Sequence, residues 1–194
     1  MLRHSRHKMA QCPIFLKRRT MTETNKGYVR VYTGDGQGKT TAAFGVLMRA
    51  LCAGKTAYVG QFVKDMMYNE AMITQYCKRV EVEQLGQGCF LDRVPMKYDA
   101  EAARTALDLC KTKMASGAYD LVILDELTIA MHYNLLTAAE VIEALDARHE
   151  TTEVIITGRY APQELIDYAD LVTDMHEVKH YLKEGVYSRD GFDH

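Results

Sequence analysis

Three glycines, a lysine and two adjoining threonines stand close together in Thr33-Gly34-Asp35-Gly36-Gln37-Gly38-Lys39-Thr40-Thr41. Glycines at this density let a backbone curl so that successive N–H groups converge on phosphate oxygens. A helix starting just after the loop adds its positive N-terminal end. Lys39 supplies a mobile cation. Thr40 offers a hydroxyl to a Mg²⁺ ion carried on the phosphates, with Thr41 as a second donor beside it. The segment departs from the common G-x-x-x-x-G-K-[ST] spacing, because Thr33 stands where the first glycine would be and Gly34 and Gly36 provide the flexibility instead. The chemistry is that of holding the triphosphate of ATP, and Gly34, Asp35, Gly36, Gln37, Gly38, Lys39, Thr40 and Thr41 are its candidate residues.

A second feature fits the first. Leu121-Val122-Ile123-Leu124-Asp125-Glu126 is an apolar run that stops at two carboxylates. Parallel strands end together at the ligand edge of a sheet, so this terminus belongs beside the phosphate loop, where a carboxylate can hold Mg²⁺ directly or through water. Capping the helix that begins near Leu127 is the alternative role, and the two are compatible. His176-Glu177-Val178-Lys179-His180 matches H-E-x-x-H, a zinc-hydrolase pattern when it lies on a helix. It is set aside, because it follows a short strand directly and only 14 residues remain after His180 to finish such a fold. His180 itself stays open between a structural and an active-site role.

The elements that must position these residues are short. Strands are expected at Tyr28 to Thr33, Ala57 to Val63, Val80 to Leu85, Leu121 to Asp125, Glu153 to Thr157 and Leu171 to Thr173, each the length of a buried parallel strand. Helical patterns alternate with them. Lys39 to Ala53 is closed by Gly54, and Asp99 to Ser116 presents Ala103, Ala106, Leu107, Cys110 and Met114 on one face, with Asp99 as N-cap and Gly117 past the end. Thr137 and Glu140 form a capping box, and Pro162 suits the first turn of a helix running to about Tyr168. The fold class follows: α/β, one domain with a mostly parallel sheet of about six strands and helices on both faces, of the RecA-like type.

Composition narrows the field. An apolar fraction of 47% over 194 residues suits one ordinary domain, and no apolar run is long enough to span a bilayer. Five cysteines without a C-x-x-C pair argue against a disulfide framework or a zinc knuckle and fit a reducing, cytoplasmic compartment. The net charge of −2 hides an asymmetry, because residues 1–26 carry seven Lys/Arg against the single acid Glu23. This stretch reads as a basic, flexible tail preceding a domain over residues 27–194, without the apolar segment of a secretory signal. Met21 stands just before the ordered pattern, so the first twenty residues could also reflect an upstream start assignment.

Several stretches together resemble the phosphate-loop family of ATP:corrinoid adenosyltransferases. They are Tyr32 to Gly45 around the loop, Gln61-Phe62-Val63-Lys64, Leu124-Asp125-Glu126-Leu127-Thr128, Ile156-Thr157-Gly158-Arg159 and Val178-Lys179-His180. They occur in the family's order and span nearly everything from Tyr28 to Asp193, and the loop without its first glycine is the family's own version. The resemblance implies that Co(I) of a reduced corrinoid attacks the 5′ carbon of ATP, forming an adenosyl–cobalt bond and releasing triphosphate, in adenosylcobalamin synthesis or salvage. Cobalt being the nucleophile, no activated Ser, Cys or Lys is needed, and none stands in a recognisable catalytic arrangement.

Carried onto this chain, the resemblance makes Gly34 to Thr41 the triphosphate site and gives Thr40 and Glu126, with Asp125 nearby, the metal, Mg²⁺ or alternatively Mn²⁺. Lys39, Thr40 and Glu126 become the catalytic set, and Lys64 and Arg159 further phosphate or ribose contacts. Better-known members use a Phe and a Trp in a G-F-x-W stretch to strip the lower ligand from cobalt. Here the stretch is Gly86-Gln87-Gly88-Cys89-Phe90-Leu91 in a chain without tryptophan, so Phe90 is assigned part of that role beside a core-packing alternative of at least equal weight. Tyr160 and Tyr187-Ser188 are further departures. The family also implies a homodimer, a flavoprotein reductant, and neither nucleic acid nor membrane as partner. The principal rival is an ATP phosphohydrolase or kinase sharing the loop and the acidic strand end, and a nucleotide-sensing or corrinoid-carrying module is the non-enzymatic one.

Overall fold

The computed structural model describes residues 26–63, 68–86 and 97–193. Lys64 and Phe90 lie outside them, as does nearly all of the basic stretch 1–26. Among the described residues six strands form one parallel sheet: β1 (Val29–Thr33), β2 (Ala57–Gln61), β3 (Val80–Gln84), β4 (Leu121–Asp125), β5 (Glu153–Thr157) and β6 (Leu171–Asp174), in the order β3-β2-β4-β5-β1-β6. The helices are α1 (Lys39–Cys52), α2 (Ile73–Tyr76), α3 (Lys97–Ala115), α4 (Leu127–His132), α5 (Ala138–Asp146) and α6 (Gln163–Tyr168), with 3-10 turns at Asn69–Met72 and Tyr181–Glu184.

The central strands are apolar throughout because both of their faces are covered. Val31, Val122, Leu124, Val154 and Ile156 point to one face, where Leu107, Cys110 and Met114 of α3, Val141 and Leu145 of α5 and Leu165 of α6 pack on them. Val59, Leu121, Ile123 and Ile155 point to the other and meet Ala43, Leu47 and Leu51 of α1. Side chains alternate along a strand, so two helical layers need two apolar sets, and this sequence has both.

The expected face of α3 is buried as anticipated. Asp99, expected as its N-cap, sits instead inside the first turn and is fully buried, since α3 begins at Lys97. An acid is favoured at either position by the N-terminal dipole, so residue type alone does not separate them. The strand near Leu171 forms but is not buried: β6 is the open edge of the sheet and exposed along its length. Thr137 and Glu140 make both bonds of the capping box, and Gly54 (φ 84°) and Gly117 (φ 68°) terminate their helices as expected. Pro162 is the N-cap of α6, one position before the expected first turn.

Candidate active site

Registers of the parallel pairs bring the strand ends to one edge. Tyr32 pairs with Thr157, Thr33 with Asp174, and Gln61 with Asp125. The β1–α1 loop therefore lies next to the end of β6 and close to the ends of β5 and β4.

The loop divides into two halves. Gly34, at φ 99°, has a backbone other residues rarely adopt, and a Cβ there would fall 2.3 Å from the Asp174 carboxylate and the Met175 carbonyl. The Gly36 N–H donates to the Met175 carbonyl at 2.7 Å, so it is committed to holding the loop against the chain after β6. Asp35 is exposed at this rim, accepting from the Glu177 N–H and lying 3.8 Å from His176; the backbone bond chiefly holds its carboxyl below the usual range. Gln37 to Thr41 instead line a cavity of about 800 Å³, together with Glu126, Phe44, Met48, Ile73, Tyr76 and residues 191–193. Gly38, at φ 116°, is where the backbone turns into α1.

Lys39 is half-buried at the head of this cavity, its Nζ donating to the Gly36 carbonyl at 2.6 Å. Burial, and then the charge of Arg159, lower its pKa from the ordinary lysine value, while Asp35, Glu126 and Asp174 act in the opposite sense. An anion arriving there is favoured, because it removes the cost of the buried positive charge. Arg159 is exposed and outside the cavity wall, but close enough for its charge to be felt at Lys39. Its backbone is well held: the Thr128 hydroxyl donates to the Arg159 carbonyl at 2.7 Å, and Tyr160, at φ 61°, stacks on His132 with ring centroids 4.2 Å apart.

The two carboxylates at the end of β4 do different things. Asp125 is fully buried and accepts from the Thr40 hydroxyl at 2.8 Å, the Thr157 hydroxyl at 2.7 Å and the Gln61 amide at 3.1 Å. Glu126 adopts a left-handed backbone (φ 60°) at the N-cap of α4, makes no side-chain cap, and lines the cavity. Its N–H is held by the Thr157 hydroxyl at 2.9 Å. Glu126 thus does not realise the capping alternative. Thr40, Asp125 and Glu126 together present a hydroxyl and two carboxylates, a set of hard oxygen donors that fits Mg²⁺.

Thr157 and Gln61 lie within the stretches that carried the resemblance, yet sequence reasoning assigned them no role. The available signal was that both are polar residues closing apolar strands at the ligand edge. The His176 to His180 segment is not helical, and His180 instead caps the turn at Tyr181–Glu184 by accepting from the Leu182 N–H. That gives His180 a structural role.

A glycine-rich β1–α1 loop, a lysine at its end, and a threonine hydroxyl bonded to the acid that ends β4, a strand separated from β1 by β5, define a nucleotide-binding enzyme of the phosphate-loop class. Residues 25–194 match the family model described as ATP:corrinoid adenosyltransferase BtuR/CobO/CobP. The chain is 36% identical over 172 residues to the corrinoid adenosyltransferase of Escherichia coli strain K12, covering 89% of this chain and 88% of the relative. It is equally similar to corrinoid adenosyltransferase CobA of Salmonella typhimurium, and 32% identical over 189 residues to a corrinoid adenosyltransferase of a Sinorhizobium species, covering 95% and 88%. This chain belongs to the ATP:corrinoid adenosyltransferase family, enzymes that adenosylate corrinoids with ATP.

Proposed function

We propose that this chain transfers the 5′-deoxyadenosyl group of ATP to the Co(I) of a reduced corrinoid and releases triphosphate intact. The observation that carries the ATP half is the Thr40–Asp125 bond at the head of a cavity that also exposes Lys39 and Glu126. Family membership carries the corrinoid half. In the reaction, cobalt donates an electron pair to the 5′ carbon as the bond from that carbon to the triphosphate oxygen breaks, and the pair leaves with the triphosphate.

The protein's task is to place the triphosphate and to neutralise it as it departs. Lys39 exchanges the Gly36 carbonyl for phosphate oxygens, and the amides at the start of α1 face the same anion. Thr40, Asp125 and Glu126 would hold Mg²⁺, with Mn²⁺ as an alternative, supplying further positive charge to the leaving group. Gln61 and Thr157 keep Asp125 oriented for that purpose. Arg159 adds a cation near Lys39, and Lys64 and Phe90 retain the roles that the family implies for them. A homodimer, a flavoprotein that generates Co(I), and a cytoplasmic setting complete the proposal. Among the described residues no helix is long and apolar enough to cross a membrane.

The test is incubation with ATP, Mg²⁺ and chemically reduced cobinamide or cobalamin, with phosphate products read by ion chromatography and the corrinoid by its visible spectrum. Triphosphate and a light-sensitive adenosylcorrinoid are expected in equal amounts, with neither formed when the reductant is omitted. ADP or phosphate released without corrinoid would replace this function with ATP hydrolysis.

A further inference from the structure

Gln37 joins the anchored half of the phosphate loop to the half that faces the cavity, and its side chain is held by a residue 156 positions away. The Gln37 amide donates to Asp193 at 2.9 Å. The Asp193 side chain is only 8% exposed and also accepts from the Tyr181 hydroxyl, from the Arg189 N–H at 3.0 Å and from the Arg189 guanidinium at 3.0 Å. These donors, Tyr181 foremost, hold its carboxyl far below the usual carboxylate range. The neighbouring residues are fastened as well. Asp190 accepts from Asn69 at 2.5 Å, and the Arg189 guanidinium lies 5.0 Å over the Tyr181 ring and 5.4 Å over that of Phe192. Gly191, Phe192 and Asp193 thereby form part of the same cavity wall as Lys39, Thr40 and Glu126.

We propose that Asp193 is a positioning residue for ATP, which fixes Gln37 and through it the cavity-facing half of the phosphate loop. The proposal rests on reading Gly34 to Thr41 as the triphosphate site. Its physical basis is preorganisation. Gly34 and Gly36 are pinned by Met175, and Gly38 opens the first turn of α1, which leaves Gln37 as the link whose freedom would otherwise be lost when the anion binds. A carboxylate near a triphosphate is tolerable here because its oxygens are already saturated by Tyr181, Arg189 and Gln37.

The experiment compares the full chain with Asp193→Ala, Asp193→Asn, Gln37→Ala and the Asp193→Ala/Gln37→Ala double variant. Calorimetric binding of Mg-ATP and of inorganic triphosphate, KM for ATP, kcat and melting temperature are measured for each. Asp193→Ala is expected to weaken both ligands about tenfold, the loss of one charge-assisted hydrogen bond. KM for ATP should rise while kcat at saturating ATP is retained. Gln37→Ala, which also removes the contact of its side-chain carbonyl oxygen with the Tyr181 hydroxyl at 3.4 Å, should weaken binding at least as much, and the double variant should be no worse than Gln37→Ala, as for two residues acting through a shared contact. Asp193→Asn keeps an acceptor oxygen and should recover most of the affinity. If the alanine variant fails to fold, Gln37→Ala, which leaves the bonds of Asp193 to Tyr181 and Arg189 in place, carries the test, and unchanged triphosphate affinity in it would overturn the inference. Unchanged triphosphate affinity in Asp193→Ala, or additive losses in the double variant, would overturn the inference. Lys39→Ala separates the two levels. If it leaves triphosphate binding intact, the phosphate-loop reading itself is lost; if it abolishes binding while Asp193→Ala does nothing, only the role of Asp193 is.

Discussion

Two adjacent carboxylates with opposite environments show how finely a strand end is divided. Asp125 is inward and accepts from three donors, while Glu126 is thrown into the cavity by a left-handed turn whose N–H is held by Thr157. That backbone costs about 1–2 kcal/mol for a residue with a Cβ, and strain of this kind collects where side-chain direction matters. The Thr157 hydroxyl serves both acids at once, accepting from Glu126 N–H and donating to Asp125. Thr157→Val keeps the shape but leaves both groups short of a partner. It is expected to lower stability by about 1–3 kcal/mol and to raise the Mg²⁺ concentration needed for half-maximal activity. Denaturant unfolding and a metal titration check the two effects separately. A stability loss with an unchanged metal titration would reduce Thr157 to a structural residue.

At the scale of elements, α3 and α5 are tied by ion pairs from Arg104 to Glu140 and from Lys111 to Glu143, each at 2.8 Å. Glu140 is also the capping-box acid of α5, and Arg104, followed by Thr137, pulls its pKa from 4.5 down to about 2. A carboxyl with a depressed folded pKa stabilises fully above its unfolded value and loses that contribution as pH falls through the folded one. Glu140→Gln preserves the box, because glutamine serves at that position. It should therefore cost less than about 1 kcal/mol at neutral pH, the worth of a largely exposed pair. The gap from the parent should close between about pH 4.5 and pH 2. Melting curves across that range measure it, and a gap that persists at pH 2 would refute the linkage. This capping box was legible in the sequence because it is a local pattern of four residues. Asp99, the third residue of α3 rather than its N-cap, was misplaced for the opposite reason: what decides N-cap against first turn is where the preceding chain arrives.

For the molecule as a whole, the described core opens at Val29, and the family match begins at residue 25. Residues 1–20 are accordingly proposed to add little to folding. Their deletion should move the melting temperature by less than about 3 °C, equivalent to roughly 1 kcal/mol at this size. It should also leave ATP binding unchanged, as thermal denaturation with and without Mg-ATP will show. A large drop in melting temperature would place part of the tail in the folded unit, and a change confined to corrinoid affinity would assign it to the second substrate.

Much of this protein was determined by sequence alone, because the determinants are local. Apolar runs of strand length predict the parallel sheet, Gly54 and Gly117 predict helix ends, and Gly34 to Thr41 predicts a phosphate site from residue types within a single turn of chain. What only the tertiary structure decided depends on strand order and register, which no local pattern encodes. The exposure of β6 follows from its edge position, although its composition reads as buried. The split of the loop follows from Met175 lying against Gly36, and the assignment of Asp125 inward and Glu126 outward follows from where β5 brings Thr157. The bond from Asp193 to Gln37 spans most of the chain, and it exists because a parallel sheet gathers distant segments at one edge.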